Sequence, residues 1–226
     1  MHVGTAQFAD AVDRLDDAAL DQAAGLPGWS RRHVLAHLAA NAEALQRLVH
    51  WASTGEERRM YSSPEQRNAD IEEGSTRPAA ELRTWVRRSA DRLAAELDAL
   101  DEAHWAAEVA TAQGRAVPAS EIPWLRAREV LIHAVDLDAG VEFDDLPEDF
   151  LVQLVSDVVA KRSLGSGPAV VLRTADAAHE WQITGSSPAV TVSAALPEIA
   201  AWVTGRPTKI TDANGGAPLP ELSAWL

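Results

Sequence analysis

In the first two thirds of the chain, apolar residues recur every three or four positions, the period of helices that bury one face. Phe8, Val12, Leu15 and Leu20 mark one such helix over residues 4–23, ended by the breakers Gly25, Pro27 and Gly28. Ser30 then suits an N-cap, with Trp29 before it able to pack as a staple. The helix it opens runs from 31 to 53. Val34, His37, Leu38, Asn41, Ala44, Leu45 and Leu48 form its inward face, and Arg32, Glu43, Gln46 and Arg47 its outward one. Residues 54–76 read as a long connection with at most a short helix after Pro64, and connections of that length in a compact domain are often functional. Pro78 fits the first turn of a third helix, 78–100, carrying Leu82, Trp85, Val86, Leu93 and Leu97. After a second irregular stretch that includes 111–120, Ser120 caps a fourth helix that tolerates Pro123 in its first turn.

Past Gly140 the texture changes. Leu146-Pro147 opens a helix to about 162, and residues 163–168 are a flexible break rich in glycine and serine. Short β-type runs follow at 169–173, 179–184 and 189–193. A helix through Ile199 to Thr204 ends at Gly205, a natural C′ residue, with a last strand near Lys209 to Thr211. The expected fold class is therefore α+β: an antiparallel four-helix bundle over 1–142, then a small α+β domain over 143–226. Bundles of this kind build metal and cofactor sites in the core from facing helices.

One stretch breaks the apolar pattern of the fourth helix. Glu129 and His133, four apart, share a face, and Arg126 and Asp136 fall near the same line, while Leu125, Val130, Leu131, Ile132, Val135 and Leu137 surround them with apolar surface. Ionisable groups enter such a helix only when they are paired or bind something. Taken alone, Glu129 and His133 could be an intrahelical pair, and the inward His37 a hydrogen-bonded core residue. Together, on facing helices, they could form a His₂Glu set, three protein ligands with an open position, as in catalytic zinc sites. Asp136 or Asn41 could hydrogen-bond a ligand from behind. His33 is the competing ligand, nearer the helix start and solvent, and Arg126 is expected in a structural ion pair.

Charge and composition narrow the chemistry. Thirty-four acidic against 20 basic residues give −14, with no basic run, so nucleic acid is not an expected partner. The first residues lack the charged start and apolar run of a signal peptide, and no stretch approaches the roughly 18 apolar residues of a membrane span. A soluble cytoplasmic protein is expected, its oligomeric state open. There is no cysteine, so any thiol chemistry needs sulfur from outside the chain.

The Trp29-Ser30 start with His37 on the second helix, the R-x-x-E-x-x-x-H-x-x-D-L pattern of 126–137, and a trailing domain with Gly205-Arg206 after a helix resemble the mycothiol-dependent maleylpyruvate isomerase family of DinB-like proteins. Residues 50–57 (HWASTGEE), 60–68 (MYSSPEQRN), 74–76 (GST), 111–121 (TAQGRAVPASE) and 132–137 (IHAVDL) carry the same resemblance. It covers nearly the whole chain, most specifically 27–140. It implies a DinB-like bundle and a divalent metal, usually zinc, on His37, Glu129 and His133. It also implies mycothiol as thiol cofactor, maleylpyruvate as substrate in gentisate-type aromatic catabolism, and roles for Arg67 and Arg206 in binding and activity. Guanidinium forks suit a substrate with two carboxylates. Gln113 and Arg115 are candidate lining residues. The competing readings are a related thiol transferase acting on another electrophile, a non-catalytic metal-binding module with four protein ligands, and a plain helical domain with an interior ion pair.

Overall fold

The computed structural model describes residues 1–186 and 188–223, and they form two compact units, 1–141 and 142–223 among the described residues. The first unit contains α1 (His2–Asp13), α2 (Arg31–Thr54), α3 (Pro64–Ser75), α4 (Ala79–Asp98), a short α5 (Glu102–Ala106), a hairpin of β1 (Glu108–Ala110) and β2 (Ala116–Pro118), and α6 (Ile122–Asp136). The long helices α1, α2, α4 and α6 make the bundle. α2 is central to it, packing on α3, α4 and α6, while α1 lies on α6. No described helix is long and apolar enough to cross a membrane.

Four local departures from the periodicity have identifiable causes. The first helix stops at Asp13, because Asp16 accepts a hydrogen bond from the backbone of Ala19 and starts a separate 3₁₀ turn, Ala19–Asp21. Residues 64–75 form a full 12-residue helix, longer than the short helix expected after Pro64. Ser63 caps it by accepting from the Gln66 backbone, and Pro64 supplies the preset first turn. Gly74 sits inside this helix for reasons of packing: a Cβ there would stand 2.8 Å from the Trp85 ring and 3.0 Å from Ala36. The stretch after 106 is a hairpin with register Val109↔Val117, turned at Gly114 with φ +80°. Ser120 does not cap α6; it lies within a 3₁₀ turn, Ala119–Glu121, that runs directly into the helix.

The end of α6 is tied to the chain that leads into α2. Arg31, buried at the start of α2, donates from Nε to the Leu137 carbonyl at 2.6 Å and from Nη2 to the Asp138 carbonyl at 2.7 Å. The same guanidinium donates to Ala19 and to the Gln22 side chain. Gly25 N–H donates to the Asp136 carbonyl at 2.7 Å. A cation on the exposed carbonyls of a helix C-terminus is favourable both as a hydrogen-bond donor and against the helix dipole. These bonds set α2 and α6 side by side in one register.

The second unit holds α7 (Glu148–Arg162), the strands β3 (Val170–Thr174), β4 (Glu180–Ile183) and β5 (Val190–Ala194), and α8 (Leu196–Val203). Its sheet has the order β4-β3-β5, antiparallel then parallel, and α7 and α8 pack on it and on each other. The strand expected near Lys209 is absent. Lys209 N–H and the Thr208 hydroxyl both bond to the Glu198 carboxylate, so the segment answers to a side chain on α8 and not to a sheet edge.

Gly74→Ala should destabilise the first unit by about 1–3 kcal/mol through overpacking against Trp85, read as a lower urea midpoint. Arg31→Ala should cost about 2–4 kcal/mol in the same measurement, because several carbonyls lose a charged donor together.

Candidate metal centre

His37 projects from the second turn of α2, and Glu129 and His133 from successive turns of α6, so the bundle core receives all three. Their ligand atoms lie within 4.8 Å of one another. The His37 Nε2 is 2.8 Å and the His133 Nε2 3.5 Å from the same Glu129 oxygen, Oε2. The two imidazole rings stand perpendicular with centroids 4.8 Å apart. Behind His133, its Nδ1 lies 2.8 Å from Asp136 Oδ2. A carboxylate only accepts, so Nδ1 carries the proton and Nε2 is turned toward Glu129.

Burial grades the four side chains. His37 and Asp136 are almost wholly enclosed, whereas 17% of Glu129 and 12% of His133 remain exposed, which gives a ligand an approach to them. Burial pushes the His37 pKa down to about 4, against the opposing pull of Glu129, so this imidazole is neutral near pH 7. Burial would raise the Glu129 pKa, but hydrogen bonds from His133 and His37 outweigh it and hold the carboxyl well below its ordinary range. For His133 burial is again opposed, this time by Asp136 and Glu129, which raise its pKa. Neutral His37 and ionised Glu129 are the ligating forms of those groups. Two carboxylates around two imidazoles also favour a positive charge among them, which a proton on His133 or a cation at the Nε2 atoms can supply.

A polar shell surrounds this centre. Arg67, on α3, brings Nη2 to 3.3 Å from His37 Nδ1 and lies over the Tyr61 ring at 5.9 Å. Arg126, 1% exposed, donates from Nη1 to the Leu38 carbonyl at 2.8 Å and to Asn41 Oδ1 at 2.9 Å. The ion pair expected for Arg126 is thus replaced by hydrogen bonds that cross from α6 to α2. Burial lowers its pKa to about 10, partly offset by the negative charge of Glu129. Burial raises the Tyr61 pKa and Glu129 adds to the rise, while Arg67 and Asn41 oppose it. Trp29 stands edge-on to His37 at 5.6 Å. His33 is engaged elsewhere: its Nδ1 meets the Ser30 hydroxyl at 2.7 Å and its Nε2 lies 3.4 Å from Glu72.

The remaining candidates lie apart from this shell or in the other unit. Gln113 and Arg115 are exposed at the tip of the β1–β2 hairpin. That hairpin packs through Val109 and Val117 into a cluster with Leu45, Leu48, Val49 and Ala52 of α2. Arg206, half-buried in the second unit, follows Gly205 at φ +77°, and its Nη1 donates to the Thr204 carbonyl at 2.7 Å. Tyr61 and Trp29 were not legible as site residues from periodicity. The signal available for Tyr61 was that it is the chain's single tyrosine, set in an otherwise polar connection. Arg126→Ala should cost about 3–5 kcal/mol in urea denaturation, since Glu129 would lose a compensating charge and two α2 acceptors would lose their donor.

The model of the mycothiol maleylpyruvate isomerase N-terminal domain family matches residues 1–138. No curated protein gives a significant match. The chain is similar to the crystal structure of the mycothiol-dependent maleylpyruvate isomerase, with 39% identity and a TM-score of 0.94, over 99% of this chain and 93% of that one. A crystal structure of a histidine-to-alanine mutant of that isomerase matches with the same values.

Proposed function

Because the chain belongs to the mycothiol maleylpyruvate isomerase family, we propose that it converts maleylpyruvate to fumarylpyruvate with mycothiol, at a divalent metal held by His37, Glu129 and His133. The observation that carries the reading is the convergence of two imidazole Nε2 atoms on one half-buried carboxylate oxygen, in a chain similar to that isomerase over almost its full length. The donor set fits a metal. It offers two nitrogens and one carboxylate, and Asp136 fixes the His133 tautomer from behind, the outer-sphere arrangement common to metal-bound histidines. Zinc is the metal we propose, and gentisate-type aromatic catabolism in the cytoplasm the setting.

Turning a cis double bond to trans requires the π bond to be opened and remade. When bound, the metal lowers the pKa of a thiol, and the thiol supplies the nucleophile and leaving group that a chain without cysteine lacks. The protein's own part is to bind, orient and neutralise. Arg67, beside His37, is placed to fork onto one substrate carboxylate, and Arg206 from the second unit is proposed as the receptor for the other. Both guanidiniums also offset the field of a chain with formal charge −14, which otherwise opposes a dianionic substrate. The apolar faces of α2 and α6 around the histidines lower the local dielectric, which strengthens the action of the Arg67 charge there.

The deciding experiment is turnover of maleylpyruvate by the purified protein with and without mycothiol, alongside elemental analysis. Thiol-dependent isomerisation and about one metal per chain are expected; a metal-free protein with full activity would sink the reading. Glu129→Ala and His133→Ala should each lose bound metal and turnover together. Asp136→Asn should bind the metal ~10–100-fold more weakly. Arg67→Ala and Arg206→Ala should keep the metal and lower kcat/KM by about 10–100-fold each, the loss of one charge-assisted contact.

A further inference from the structure

The two imidazoles of the centre are oriented unequally. Behind His133, Nδ1 meets the Asp136 carboxylate at 2.8 Å, the kind of acceptor that metal-bound histidines ordinarily have. His37 has no such acceptor among the described residues. Its Nδ1 faces Arg67, whose Nη2 lies 3.3 Å away. A guanidinium only donates, whereas ligation through Nε2 leaves the proton of a neutral imidazole on Nδ1, so Arg67 cannot accept it. Arg67 is also the proposed receptor of a substrate carboxylate. The orientation of the His37 ring therefore needs another support.

That support is aromatic. The His133 ring stands at 90° to His37 with centroids 4.8 Å apart, and the half-buried Trp29 indole at 66° and 5.6 Å. Both are edge-to-face arrangements at separations where ring pairs attract. Trp29 also lies 6.1 Å from His33, one turn earlier on α2, so the indole reaches further along the helix than a staple at its first turn requires. The backbone that carries Trp29 is closed on itself. Ala24 N–H donates to the Trp29 carbonyl at 2.9 Å, Trp29 N–H donates to the Leu26 carbonyl at 3.1 Å, and Gly28 turns the chain at φ +79°. The same turn is tied to α6, where Gly25 N–H donates to the carbonyl of Asp136, the residue that orients His133. One short turn thus reaches the supports of both histidines.

We propose that Trp29 is a positioning residue for the metal: its indole fixes the plane of the His37 imidazole, in place of the acceptor that Asp136 provides for His133, and so sets how tightly the centre holds a divalent ion. This deepens the metal reading of the site and rests on it. Rotation of the His37 ring about Cβ–Cγ swings Nε2 away from the point where the three ligand atoms converge, and the two neighbouring rings oppose that rotation. His133 is itself a ligand, so Trp29 is the part of the restraint that can be altered without removing a ligand. An aromatic contact is weaker than a charge-assisted hydrogen bond, so the effect of losing it is smaller than that of Asp136→Asn.

The test is zinc affinity of the full chain, measured by competition with a chromogenic chelator, for wild type, Trp29→Phe and Trp29→Leu. The leucine variant should bind zinc about three- to tenfold more weakly, and the phenylalanine variant should stay within about twofold of wild type. With Co²⁺ in the site, the visible absorption bands report ligand geometry; those of Trp29→Phe should match wild type and those of Trp29→Leu should shift. A helix staple and nothing more would lower the thermal midpoint and leave both readouts alone, so wild-type affinity and bands in Trp29→Leu overturn the proposal. Equal losses in the two variants also overturn it, because an aromatic edge is then not what His37 needs. Trp29→Met, which fills the volume without a ring, carries the same expectations and replaces the leucine variant if that one does not fold. If the variants behave as expected but wild type does not isomerise maleylpyruvate with mycothiol, the positioning role stands and the substrate assignment falls; a wild type that binds no zinc overturns the metal reading and this inference with it.

Discussion

A carboxylate largely enclosed in a helical bundle has to be compensated by its neighbours, and Glu129 is that carboxylate. Moving it out of water is opposed by several kcal/mol unless hydrogen bonds and opposite charge replace the lost solvation. Both imidazoles converge on its Oε2, and the charge of Arg126 lies one turn away on the same helix. Each of these groups then needs partners of its own. Asp136 meets His133, the Leu38 carbonyl and Asn41 meet Arg126, and Arg67 meets His37. The polar shell is thus the chain of consequences that follows from burying one acid, and the same chain prepares the site for a cation.

The packing of the bundle serves that demand. Glu129 can meet His37 only if α2 and α6 hold a fixed register, and two guanidiniums cross between those helices to hold it. Arg126 bridges them in the core, and Arg31 bridges them at the end of α6, where it also gathers the connection that leads from α1. Above the histidines, α3 carries Arg67 inward because Gly74 lets it lie against Trp85 and Ala36 without a Cβ in the way. The most specialised chemistry is therefore held by elements whose own sequence signals are ordinary: an arginine at a helix start and a glycine inside a helix.

What could be read in advance was what depends on local periodicity. The inward line of α2 placed His37 with Val34, Leu38 and Leu45, and the four-residue spacing of Glu129 and His133 put both on one face of α6. A polar stripe on an apolar helix was visible because burial and charge conflict within a few residues. Less could be read where local cues compete. Gly74 and the many polar residues of 64–75 masked a helix whose stability comes from packing on α2 and from the Ser63 cap. The hairpin at 108–118 was hidden because three-residue strands are too short to show alternation. Tyr61 had no periodic signal at all, since a residue in a connection is placed by the helices on either side of it.

The sequence by itself determined the helices of the bundle, the change to α+β texture after residue 140, the absence of any thiol, and the residue types that make up the His₂Glu set. These follow from the 3.6-residue period and from composition, which are properties of short segments. Only the tertiary structure decided that the two Nε2 atoms meet at one oxygen of Glu129, that Arg126 bonds to α2 and not to an acid, that His33 is taken up by Ser30 and Glu72, and that Tyr61 and Arg67 stand beside the centre. Those facts depend on the separation and rotation of helices remote in sequence, which are set by the fit of many side chains at once and by the few charged bridges that lock it.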